Sequence, residues 1–163
     1  MTKLLSEVQA MQNPSLGAVL IWRFTCGYAP QNDPHDGVPF PLAFLVLPVV
    51  LHEITREEVT STRLLSGVRK FEEKFRDRGD LLFALNQRAI DLRDLSLRSV
   101  RQAFAVGLLT MVPERGKLWP RSYAKPPVEA KSVLELLDAA EKLGCWCRSL
   151  SVYEISGILR VEL

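Results

Sequence analysis

From Ser96 to Gly107 the sequence keeps a helical period, with Leu97, Val100 and Phe104 on one side and Arg98, Arg101 and Gln102 on the other. It then runs without a linker into Leu108 to Val112, a turn at Glu114, Arg115 and Gly116, and Lys117 to Trp119. Two short extended runs about a Gly-bearing turn read as a β-hairpin. A helix that passes straight into a hairpin, behind a second helix carrying Leu82, Leu85, Ala89 and Leu92, is the centre of a winged helix. The expected fold is therefore mostly α: a single helical domain over residues 1–163 with a winged-helix-like helix plus β-hairpin unit. Such a unit is a docking surface, for nucleic acid or for another protein.

The rest of the chain is long enough to support it. A chain of 163 residues buries roughly 70% of its unfolded surface, so a core can form without metal or disulfide. At 47% hydrophobic and 25% charged residues the composition is that of a globular protein rather than a disordered one. Cys26, Cys145 and Cys147 are odd in number, and no secretory pattern opens the chain, so free thiols and a cytoplasmic location are expected. The apolar runs Leu16 to Trp22 and Phe40 to Leu51 fall short of the about 20 residues that span a bilayer, which leaves them as core helices.

Local signals divide the chain further. Met1 to Gln12 carry few signals and read as an arm or a short helix. Asn13 and Pro14 read as a helix cap and first turn, opening a helix from Pro14 to Cys26 that is apolar nearly all round. Gly27 to Pro39 reads as a loop, and Pro41 to Leu51 as a second apolar helix. Thr55 with Glu58 suggests a capping box, followed by a helix from Ser61 to Arg76 whose Leu64, Leu65, Val68, Phe71 and Phe75 share helical spacing. Ser96 is expected to cap the helix that carries Arg98. Ser132 with Glu135 and Ser151 with Glu154 suggest further capping boxes. Between them, Val133, Leu136, Ala140, Leu143, Cys147 and Leu150 form a seam for a neighbouring helix, inside the domain or on a partner.

Chemistry is sparse. His35, in a loop with Asp33 and Asp36, and His52, expected at a helix C-terminus, stand near no nucleophile motif. No Gly-rich run ends in Gly-Lys-Ser or Gly-Lys-Thr. The Cys145 and Cys147 pair lacks the further ligands that a structural zinc needs. No catalytic residue, metal, cofactor or small-molecule substrate is expected.

Charge gives the stronger pointer. The formal net charge is +2, yet from Ser96 to Lys131 the residues Arg98, Arg101, Arg115, Lys117, Arg121, Lys125 and Lys131 face only Glu114 and Glu129. That segment carries +5 and the remainder −3. If DNA is a partner, Arg98, Arg101 and Gln102 would face a groove while Arg115, Lys117 and Arg121 neutralise phosphates. Candidates for an apolar partner interface are Trp22, Phe24, Trp119, Leu143, Trp146 and Leu150. For Trp22 and Trp146 a place in the core is the competing reading.

Asn13 to Phe24 (NPSLGAVLIWRF), Phe40 to His52 (FPLAFLVLPVVLH) and the ending KLGCWCRSL with EISGILRV resemble the small middle components of bacterial three-component ABC systems. The resemblance spans about Asn13 to Val161. It implies an accessory subunit that partners an SMC-like ABC ATPase and an effector protein, in systems similar to Lamassu-type defence against phages and plasmids. The alternative from charge alone is a stand-alone winged-helix DNA-binding regulator.

Overall fold

A computed structural model describes residues 13–29, 31, 37–124 and 127–163. The expectation for Met1 to Gln12, and the cluster of His35 with Asp33 and Asp36, lie outside the described residues.

Helix α1, Pro14–Tyr28, begins where Asn13 Oδ1 accepts from the Ser15 and Leu16 N–H groups at 3.0 and 3.2 Å. The cap satisfies donors that a helix start leaves open. Asn13→Ala is expected to cost about 1 kcal/mol of stability, read as a lower denaturant midpoint with an unchanged slope. After α1 come strand β1, Val38–Pro39, a 3₁₀ turn at Phe40–Leu42, and α2, Ala43–Val50. Then follow α3, Glu53–Ser61, a 3₁₀ turn at Leu64–Ser66, α4, Gly67–Glu73, α5, Gly79–Asp91, and α6, Arg93–Ala105. The hairpin β2, Leu109–Val112, and β3, Lys117–Pro120, leads to α7, Lys131–Cys147, and α8, Val152–Leu159.

The fold is mostly helical, and the winged-helix-like unit is present as α5, α6 and the hairpin. The hairpin register pairs Leu109 with Pro120 and Val112 with Lys117. A two-residue strand that the sequence reading left inside a loop completes the sheet: β1 pairs antiparallel with β3, Val38 opposite Leu118, giving the order β1-β3-β2. The Phe40 N–H extends this edge by donating to the Gly116 carbonyl.

Helix α1 is the axis of the molecule, packed on α6 along one side and on α7 along another. Small residues set both approaches. A Cβ on Gly17 would lie 2.1 Å from Ser99 Oγ, and Cβ atoms on Gly27 and Gly144 would each lie 2.1 Å from a carbonyl oxygen, of Glu141 and of Phe24. Leu20, Ile21, Phe24, Leu45, Leu47, Ala140, Leu143 and Ile155 are fully excluded from water in one core that also holds the inner face of the sheet. The C-terminal seam is thus closed within the chain, with Ala140, Leu143 and Cys147 buried.

Four local expectations are corrected. Ser96 is no cap: Leu92 joins α5 to α6 directly, with its N–H on Arg88 O and its carbonyl taking Ser96 N–H, so Ser96 lies buried in the helix. Leu92, at φ −92° and ψ 4°, bends the chain between the two helices without a Gly, a Pro or a side-chain cap. Thr55 is likewise interior, its hydroxyl donating to Val49 O at 2.6 Å, while His52 caps α3. The helix expected from Ser61 to Arg76 is interrupted by Gly67 at φ +72°, which turns Leu64 and Leu65 outward. Ala130 precedes α7 without a side-chain cap, so Ser132 and Glu135 form no box. The Ser151 and Glu154 box does form, with both reciprocal bonds in place.

Candidate functional site

Helix α6 turns Leu95, Ser96, Ser99, Val100 and Ala103 inward, so Leu97, Arg98 and Arg101 face out and Gln102 stands at the boundary. The i, i+3 and i+4 spacing of Arg98, Arg101 and Gln102 places them together, and with Ala105 and Pro14 of α1 they line one shallow, open groove. Arg98 Nε is held by Asp94 Oδ2 at 2.9 Å, one turn earlier. An incoming phosphate would have to displace an exposed pair, which costs little.

The hairpin extends this surface. Gly107, at φ +75°, lets the chain reverse from α6 into β2. There the Arg121 N–H donates to Leu108 O, and its guanidinium lies 3.9 Å from the point a Gly107 Cβ would occupy. A cation beside the last carbonyls of α6 suits the helix dipole. Arg115 is exposed in the 3₁₀ turn at the hairpin tip, beside Gly116 at φ +60°. Lys117 is half-buried on β3 and engaged by its surroundings. The structure therefore gathers Arg98, Arg101 and Gln102 in one groove, sets Arg121 at the end of the same helix, and leaves Arg115 apart at the tip.

The residues considered for an apolar partner interface fall elsewhere. Trp22 is 2% exposed, its indole N–H donating to Ser122 O at 2.8 Å, and Trp146 is 4% exposed, donating to Leu64 O at 2.8 Å. Phe24 and Leu143 are fully buried beside them. These four side chains are core, because the apolar all-round helix α1 is enclosed by α6, α7 and the strap after β3 rather than by another protein. Trp119 is half-buried, lying over the Gly37 backbone, where a Cβ would come 2.4 Å from its ring. Leu150 is half-buried and lines a groove with Trp146 and Leu65.

The exposed apolar residues are ones the sequence reading did not select. Leu65 is wholly exposed, and Phe83 and Tyr153 are largely so. The signal that marks Leu65 is Gly67, whose left-handed backbone ends the periodic pattern in which Leu65 had seemed an inward position.

Nucleophilic groups are held inert. Burial pushes the Cys26 thiol up to about 12, against a lowering by Arg23, and pushes Cys147 up to about 12. Cys145 is raised by burial and then by Glu141. All three are neutral thiols at pH 7, and Cys145 and Cys147, two apart on α7, do not face each other. His52 sits at the start of α3 rather than capping a helix end, with Nδ1 accepting from the Thr55 N–H at 3.5 Å. Among the described residues no group of three His, Cys, Asp or Glu side chains could hold a metal ion. None of the described helices is long and apolar enough to cross a membrane.

The model of one protein family, the ABC-three component (ABC-3C) system Middle Component 3, matches residues 1–163. The chain belongs to that family. The resemblance seen in the α1, α2 and C-terminal segments thus extends over residues 1–163. Comparisons with curated proteins and with solved structures gave no match. As a component of a multi-part ABC system the protein works with protein partners, as an accessory subunit.

Proposed function

We propose that this middle component is a non-enzymatic bridging subunit between an SMC-like ABC ATPase and an effector protein, acting in the cytoplasm in defence against phages or plasmids. The full-length family match carries the reading. The sequence is consistent with it: no Gly-rich run ends in Gly-Lys-Ser or Gly-Lys-Thr, so ATP use falls to a partner. In this assembly the α6 groove and the hairpin contact DNA, with Arg98, Arg101 and Gln102 toward the bases and Arg115, Lys117 and Arg121 on phosphates.

Co-expression with an SMC-like ABC ATPase of the same three-component system is the test. A complex that survives affinity purification and gel filtration at micromolar concentration is expected, and two separate peaks would remove the proposal. The +5 segment favours one rival, a stand-alone DNA-binding regulator. On the bridging reading, DNA affinity depends on the ATPase, and reversing Arg98 and Arg101 together weakens DNA binding by the complex about tenfold, with a shallower salt dependence. Tight DNA binding by the isolated chain, with no ATPase association, would establish the regulator instead.

A further inference from the structure

Where α2 gives way to α3, beside the junction of α5 and α6, the chain leaves a cavity of about 250 Å³ that opens to solvent. Its walls are apolar: Leu47, Pro48, Leu51, Ile54 and Leu92. A space of this size exceeds the roughly 150 Å³ that admits a benzene molecule. One cation is set among these walls, Arg88 of α5. Among the described residues no Ser, Thr or Cys lines the cavity, so a ligand there is held rather than attacked.

Arg88 is incompletely paired. Its Nε donates to Pro48 O at 3.3 Å, which holds the guanidinium at the end of α2. Its Nη2 is shut off from water and has no acceptor. Burial holds the group below the usual arginine range, with no neighbouring acid to offset the effect, although it stays charged at pH 7. Glu53, the one acid on the lining, and His52 before it are engaged by their surroundings. A guanidinium left with open donors costs the folded chain stability, and a carboxylate supplies two acceptors in the matching geometry.

We propose that this cavity binds a small apolar carboxylic acid, its hydrocarbon body between Leu47, Leu51 and Leu92 and its carboxylate on the Arg88 guanidinium. Apolar walls with a few placed polar groups are the common plan of small-ligand sites. An inorganic anion would leave the walls without contact, and a neutral hydrocarbon would leave Arg88 without its acceptor. The site goes beyond the bridging reading and does not depend on it.

The experiment titrates the full chain with isocaproate, and with isocaproamide as its uncharged counterpart, while NMR follows the methyl signals of Leu47, Leu51, Ile54 and Leu92. The acid is expected to saturate these signals with a Kd of about 1 mM, the range open to so small a ligand. The amide should bind at least about tenfold more weakly, because the charged hydrogen bonds to Arg88 are lost. Arg88→Met removes the cation and keeps the stem. It should weaken the acid at least about tenfold and melt no lower than the unmodified protein, since the orphaned donor goes with it. If acid and amide move the methyl signals alike, the cavity is an apolar cleft whose arginine is served by water, and the proposal falls. It falls too if the acid moves none of these signals, or if folded Arg88→Met binds the acid as tightly. Should Arg88→Met fail to fold, the comparison of acid with amide on the unmodified protein decides alone.

Discussion

Gly144→Ala is expected to destabilise the protein by about 3 kcal/mol or more, the upper end of what overpacking costs. The added Cβ would lie 2.1 Å from the Phe24 carbonyl oxygen and 3.0 Å from Tyr28 N, both backbone atoms of α1. A flexible side chain could turn aside, but here two helix backbones must separate. Separation would also loosen Leu143 and Phe24, both fully buried at the crossing. For a chain of this size the loss corresponds to a fall in melting temperature of about 6–12 °C. Gly157→Ala supplies the control: its Cβ would meet nothing within 4 Å. Trading a helical glycine for alanine there should raise stability by about 0.5–1 kcal/mol. Thermal unfolding followed by circular dichroism reads both, and equal melting temperatures would refute the account of α1 and α7 as helices in backbone contact.

That crossing also shows why part of the fold was legible in the sequence and part was not. Asn13 and Ser151 were readable as caps because a cap is a hydrogen bond made within three residues of itself. The hairpin was readable because its turn ends at Gly116, whose φ of +60° few other residues accept. Gly27 was read as the start of a loop although α1 runs through it to Tyr28, and Gly144 carried no such local mark. Within a helix glycine registers only as weak propensity, and its purpose appears only once the second helix is beside it. Strand β1 stayed hidden for a related reason: two residues ending in Pro39 show no alternation, and their pairing is dictated by β3, far along the chain.

The candidate surfaces divide in the same way. Arg98, Arg101 and Gln102 could be grouped from spacing, since helical periodicity alone puts them together. Arg121 at the end of α6 could not, because its place depends on the reversal at Gly107 and the return of β3. Leu65 was misplaced outright, because a helical pattern was continued across Gly67, where the backbone leaves helical geometry. Trp22 and Trp146 joined the core because each found a backbone carbonyl for its indole N–H, which makes their burial stable.

The second large effect concerns the ion pair beside the α1 and α7 crossing. Arg23 Nη2 stands 2.6 Å from Glu141 Oε2, with the arginine side chain 9% exposed and the glutamate 38%. The guanidinium also lies 5.8 Å from the centroid of the Trp22 ring. Removing one partner of a buried pair costs about 3–5 kcal/mol, because the other charge is left without compensation. Water can reach Glu141, so Glu141→Gln should cost about 2 kcal/mol, discounted for that exposure. Arg23→Met keeps the packing and removes the stranded charge. It should cost about 1 kcal/mol, chiefly the contact over Trp22. The double variant is then expected to be more stable than Glu141→Gln alone, the sign of a buried cation whose anion matters more than its own contacts. Urea midpoints on the four proteins decide it. Strict additivity of the two single losses would mean that the pair is decorative, and that the glycine contacts alone fix the register between α1 and α7.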